Sequence, residues 1–255
     1  MTDLYLQENS SVLKNLLGIT DEKELDLAEA ELSRANMMLL YENGFSDFSV
    51  GGISFIHKEL FGDVYEWAGE FRKINIQKRE KILAGASVWY SNANDIERDL
   101  NKAWKNINKV NWSNLSKDEF AEKVTRLFPA IWQVHPFREG NTRTVVMLIT
   151  FFVEHYGYFF DQELISANAG YVRNAFVLAS LGEYSEYEAL ETILKDAICD
   201  KPAESETDFN NSNEKSEKYS KQGKSSDSDY IFVTTNYVSV EYLDSIYEEM
   251  QDSES

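Results

Sequence analysis

The chain has 255 residues and a formal net charge of −19, enough length for one good-sized domain or a domain with an appendage. That charge opposes non-specific binding to nucleic acid or anionic membrane, since both rely on Lys and Arg neutralising phosphates. A single cysteine, Cys199, excludes an intrachain disulfide framework; it reads as a buried or end-of-domain thiol.

Leu25, Ala28, Leu32, Ala35 and Leu39 recur at three- and four-residue steps, which predicts a helix from Asp21 to Glu42. Thr20 is its expected N-cap, and Gly44 stops it. A second helix is predicted over Ile53 to Phe61. Ile74-Asn75-Ile76-Gln77 then alternates apolar and polar, Ala86-Ser87-Val88-Trp89-Tyr90 is β-prone, and a charged stretch ending in Gly85 separates them. This segment reads as a β-hairpin-like flap.

Helices follow over Asp95 to Val110 and Lys117 to Gln133. The next begins inside Glu139–Arg143 and runs through Phe152. It is apolar nearly all round, so it belongs at the centre of a bundle. Two more are expected near Ala167–Leu181 and Ser185–Cys199. Residues 201 to 229 are almost all Ser, Asn, Glu, Asp and Lys, the composition of a disordered linker. Val240, Leu243, Tyr247 and Met250 return to helical spacing, so residues 230–255 read as a short docking or regulatory segment. The expected fold is mainly α: a helical domain over residues 1–200 with a small hairpin flap, a disordered acidic linker and a C-terminal amphipathic piece.

The first residues carry no basic start and no apolar stretch, so no secretory signal is read. The longest apolar run, Val145 to Val153 broken by Thr150, is too short to span a bilayer. The expectation is a cytoplasmic protein; delivery by a dedicated secretion system would leave neither mark.

The chemistry concentrates in one loop, His135-Pro136-Phe137-Arg138-Glu139-Gly140-Asn141-Thr142-Arg143. Pro136 keeps His135 out of regular helix, and Phe137 anchors the loop in the core. Glu139 is a hard carboxylate suited to Mg²⁺. Gly140, Asn141 and Thr142 open a helix whose free N–H groups make an anion site. Arg143 adds a forked cation. A base, a metal ligand, an anion nest and a cation are the parts that phosphoryl or nucleotidyl transfer requires. His57 and His155 sit in no ligand-spaced cluster and read as structural.

This loop resembles the signature of the Fic family, His-x-Phe-x-(Asp/Glu)-Gly-Asn-Gly-Arg-x-x-Arg. Phe61-Gly62-Asp63-Val64-Tyr65-Glu66-Trp67-Ala68-Gly69-Glu70-Phe71-Arg72 likewise resembles the segment leading into that family's target-binding flap. The resemblance, covering residues 14 to 200, implies transfer of AMP from ATP to a Ser, Thr or Tyr of a target protein. It makes His135 the general base and Glu139 the holder of Mg²⁺. Gly140, Asn141 and Thr142 form the anion hole, Arg143 binds phosphate, and Lys73 and Ile74 touch the nucleotide. The flap near Lys73–Tyr90 clamps the target as an added strand. The resemblance also leaves room for inhibition by a separate antitoxin-like protein.

Two positions depart from the pattern. Thr142 stands where the signature has Gly and narrows the nest, which motivates an alternative as a kinase or a user of another nucleotide donor. Val146 replaces the last Arg, which in the family holds the γ-phosphate and pairs with an inhibitory Glu. Ser245 to Glu249 matches the spacing of the inhibitory motif. A non-catalytic module whose acidic tail recruits a partner is the reading from a different class.

Overall fold

A computed structural model describes residues 3–201. The linker, the C-terminal amphipathic stripe and the Ser245–Glu249 motif lie outside the described residues. Helices and their connections make up nearly all of the fold, as the periodicity predicts. In chain order they are α1 (Glu22–Asn43), α2 (Val50–Phe61), α3 (Ile96–Ile107), α4 (Lys117–Leu127), α5 (Pro129–Val134), α6 (Asn141–His155), α7 (Gln162–Ala167), α8 (Ala169–Leu178) and α9 (Glu188–Ala197).

The helix starts follow local chemistry. Asp21, not Thr20, caps α1 by accepting from the Glu24 N–H, and Ser49 caps α2 through Gly52. Ser116 and Glu119 close a reciprocal capping box on α4. The single helix expected over Lys117–Gln133 is two, because Pro129 begins a second one.

The central position of α6 is borne out: ten of its fifteen residues are buried. It packs against α2 and α5, while α1 lies on α2, α3 on α5 and α4 on α9. Phe152 of α6 meets Trp112, Phe120, Phe128 and Tyr156 within 4.9–6.2 Å between ring centroids. This aromatic cluster packs around the C-terminal end of α6, where Phe152 lies.

The β-structure is not where the alternation predicts it. Among the described residues the one sheet pairs β1 (Tyr158–Phe160) with β2 (Ile198–Asp200), antiparallel, with Phe159 opposite Cys199. The flap contains no strand. It turns back at a 3₁₀ turn, Lys81–Leu83, closed by Glu80 N–H to Ala86 O at 2.9 Å and Gly85 N–H to Glu80 O at 2.8 Å. Exposure nevertheless alternates residue by residue from Lys73 to Glu80, with no strand pairing there among the described residues.

Candidate active site

The loop between α5 and α6 is built from two left-handed residues. His135 ends α5 at φ 51°, ψ 59°, a conformation that costs a non-glycine residue roughly 1–2 kcal/mol. It is held from outside: the His135 carbonyl accepts from Arg72 Nε at 2.8 Å, and the Pro136 carbonyl accepts the Arg72 N–H at 2.8 Å. Gly140 caps α6 at φ 79°. A Cβ there would stand 2.4 Å from the Phe61 ring, so only glycine fits.

Between these residues the loop is pinned on every side. Phe137 is fully buried, and its ring stacks on His57 with centroids 3.7 Å apart. The Asn141 side chain bonds both backbone groups of Phe137 at 2.9 Å, accepting the N–H and donating to the carbonyl. His57 accepts the Gly69 N–H at Nδ1, so its Nε2–H donates to the Glu139 carbonyl at 3.1 Å. Burial pushes its pKa down to about 3, which keeps it neutral as that pair of bonds demands. The structural reading of His57 therefore holds, and it acts on the loop directly.

His135 is 2% exposed, and among the described residues neither ring nitrogen has a hydrogen-bond partner. Its ring lies under Tyr90, centroids 4.1 Å apart, and edge-on to Trp132 at 5.2 Å. Burial first, then the Lys78 ammonium, holds its pKa well below the ordinary histidine value. The ring is therefore a neutral base with unused nitrogens. Buried polar atoms are nearly always bonded, so a pair left bare in a loop this rigid makes His135 a candidate for a functional role.

Glu139 meets Lys78 Nζ at 3.1 and 3.3 Å, and its Oε1 accepts the Gly140 N–H at 3.2 Å. Desolvation alone would raise its pKa. The opposing charges of Lys78 and Arg143 and the Gly140 amide outweigh it and hold the carboxylate ionised well below the usual range. In α6 the first intrahelical bond runs from the Thr144 N–H to the Gly140 carbonyl. The amides of Asn141, Thr142 and Arg143 precede it and are left without intrahelical partners. These are the amides that the sequence reading assigns to an anion nest.

The other predicted site residues each have a partner of their own. The Thr142 hydroxyl accepts from Trp132 Nε1 at 2.9 Å, so it braces α5. The Arg143 guanidinium bonds Ser33 at 2.7 Å, pairs with Glu29 of α1 and lies 4.7 Å over the Phe61 ring. Lys73 pairs with Glu70 at 2.8 Å on the surface, and the Ile74 carbonyl accepts from Arg72. Among the described residues no hydrogen bond or ion pair joins Lys73 or Ile74 directly to the loop.

Arg72 and Lys78 are the residues that motif reading misses. Arg72, 2% exposed, also donates to the carbonyls of Ile74, Val134 and Ser91, joining both ends of the flap to the loop. Its place at the end of the Phe61–Arg72 segment was the available signal. A second buried pair anchors the flap from the other side. Glu80, 1% exposed, takes both Arg173 of α8 and the Tyr90 hydroxyl.

The Fic/DOC family model matches residues 47–153, from the approach to α2 through α6. The protein adenylyltransferase VbhT of Bartonella schoenbuchensis is 31% identical over 164 residues, 64% of this chain and 33% of that protein. The chain thus spans about a third of that relative's length. The probable protein adenylyltransferase y4lH of Sinorhizobium fredii is 31% identical over 153 residues, 59% of this chain and 75% of that one. Among solved structures, the N-terminal Fic domain of a putative cell filamentation protein from Bartonella quintana superposes with a TM-score of 0.66 at 25% identity. The match covers 77% of this chain and 92% of that one. The BepC protein of Bartonella tribocorum with bound AMPPNP also scores 0.66, at 24% identity over 78% and 97%. Sequence motif, loop geometry and relatives agree, and the chain belongs to the Fic/DOC family.

Proposed function

We propose that the chain transfers AMP from ATP to a Ser, Thr or Tyr hydroxyl of a target protein. The observation that carries this reading is the bare, buried, neutral His135 ring in the loop that leads into the open amides of α6. The target oxygen attacks the α-phosphorus, the bond to the β-phosphate breaks, and pyrophosphate leaves. The hydroxyl proton passes to a His135 nitrogen. The amides of Asn141, Thr142 and Arg143 hold the phosphate oxygens. With the Thr142 hydroxyl turned to Trp132, its amide serves the nest as a glycine's would, which favours AMP over another transferred group.

Glu139 fits Mg²⁺. Among the described residues no cluster of three or more His, Cys, Asp or Glu side chains forms, but Mg²⁺ characteristically takes one or two carboxylates and completes its shell with phosphates and water. Bound there, it would neutralise charge on the leaving phosphates.

The flap supports protein recognition. Its Lys73–Glu80 edge alternates in exposure and has no strand partner among the described residues, and Trp89 stands 91% exposed. A target segment added as a strand would place its hydroxyl beside His135 once Tyr90 swings aside. Incubation with α-³²P-ATP and Mg²⁺ should label protein, and γ-³²P-ATP should not. His135→Ala should lower labelling by at least about a hundredfold with the unfolding midpoint retained. Label from γ-³²P-ATP alone would convert the reading to a kinase, and transfer surviving in His135→Ala would remove the base.

A further inference from the structure

A site that gathers a triphosphate needs cations, and the structure commits the arginines of the loop and of α8 to other partners. Arg138 is bound to Asp3 at 2.9 Å, Arg143 to Glu29 and Ser33, and Arg173 to Glu80. Val146 stands where the signature has its last Arg. Lys78 differs, because its ammonium rests on Glu139, the carboxylate assigned to Mg²⁺. That carboxylate also accepts the Gly140 N–H, so Lys78 sits one carboxylate away from the open amides of α6. Its side chain is 23% exposed, and its N–H is held by the Ser87 hydroxyl at 3.3 Å. The backbone is therefore fixed while the flexible stem is free to swing.

We propose that Lys78 is a nucleotide-positioning residue: it occupies Glu139 in the empty site and passes to the phosphate oxygens when a divalent cation takes the carboxylate. The inference rests on the nucleotide-transfer reading. Two positive groups cannot share one carboxylate comfortably, so metal binding expels the ammonium. The closest new anion is then the phosphate chain at the α6 N-terminus. The flap thereby senses whether nucleotide and metal are present, and the acidic chain recovers a cation that the motif arginines do not provide.

The test compares the full-length chain with Lys78→Gln and Lys78→Arg by calorimetry, titrating Mn²⁺ alone and AMPPNP with Mg²⁺. Lys78→Gln should bind Mn²⁺ more tightly, by about threefold or more, because Glu139 is unopposed. It should bind Mg·AMPPNP about tenfold more weakly through loss of a charge-assisted bond. Lys78→Arg should restore most of the nucleotide affinity. An unchanged affinity for either ligand in Lys78→Gln overturns the assignment. If the unsubstituted chain itself fails to bind AMPPNP, the nucleotide reading falls and the proposal with it. Failure confined to the Lys78 variants leaves that reading standing.

Discussion

Gly140 and Thr142 show how differently two neighbouring loop residues are constrained. Gly140→Ala would place a methyl against the Phe61 ring in a backbone conformation hostile to side chains. We expect about 2–4 kcal/mol of destabilisation from overpacking and strain together, read from the urea midpoint at unchanged slope. Thr142 tolerates its side chain because the hydroxyl has a partner. Thr142→Val keeps the shape but strips the Trp132 indole of its acceptor, and should cost about 1–3 kcal/mol. A neutral Thr142→Val would mean the indole finds another partner. The glycine requirement at 140 was legible from the motif. The use of Thr142 was not, because nothing in the spacing joins it to Trp132 ten residues earlier.

At the scale of elements, the flap is fastened by buried polar groups. Glu80 and Arg173 lie 93 residues apart in the chain. Arg173→Met would leave the Glu80 carboxylate charged and buried, a loss of about 3–5 kcal/mol when one member of such a pair is removed. Hydrogen exchange should then rise across residues 78–90, since the cost is met most cheaply by opening the flap. Protection unchanged there would show that Arg72 alone suffices to hold it. Helix existence was legible in the sequence from periodicity, and element ends were less so. The Lys117–Gln133 expectation missed the break at Pro129, because both halves share one apolar stripe. The flap's alternation was real but described exposure, not pairing. The true strands, three residues each, are too short to show a period.

For the whole molecule, acid is the revealing stress. His57 is buried neutral with its pKa pushed down to about 3, and burial lowers His135 as well. Below the ordinary 6.5, and down to about 3 for His57, the unfolded chain binds more protons than the folded one. Stability is therefore full above about pH 6.5 and falls as the pH drops, by about 1.4 kcal/mol per pH unit for each such histidine. His57→Phe should keep the stack on Phe137 and flatten that acid limb. A limb of unchanged slope would place the protons elsewhere. The sequence alone determined the helical class, the central burial of α6 and the identity of the loop, because helical periodicity, turn chemistry and a contiguous motif are local properties of the chain. Only the tertiary structure decided which charge each loop residue faces. Glu29 on Arg143, Lys78 on Glu139 and Arg72 on the His135 carbonyl join residues 61 to 114 positions apart. Such pairings depend on how helices pack and which carbonyls are left open, and no spacing along the chain records that.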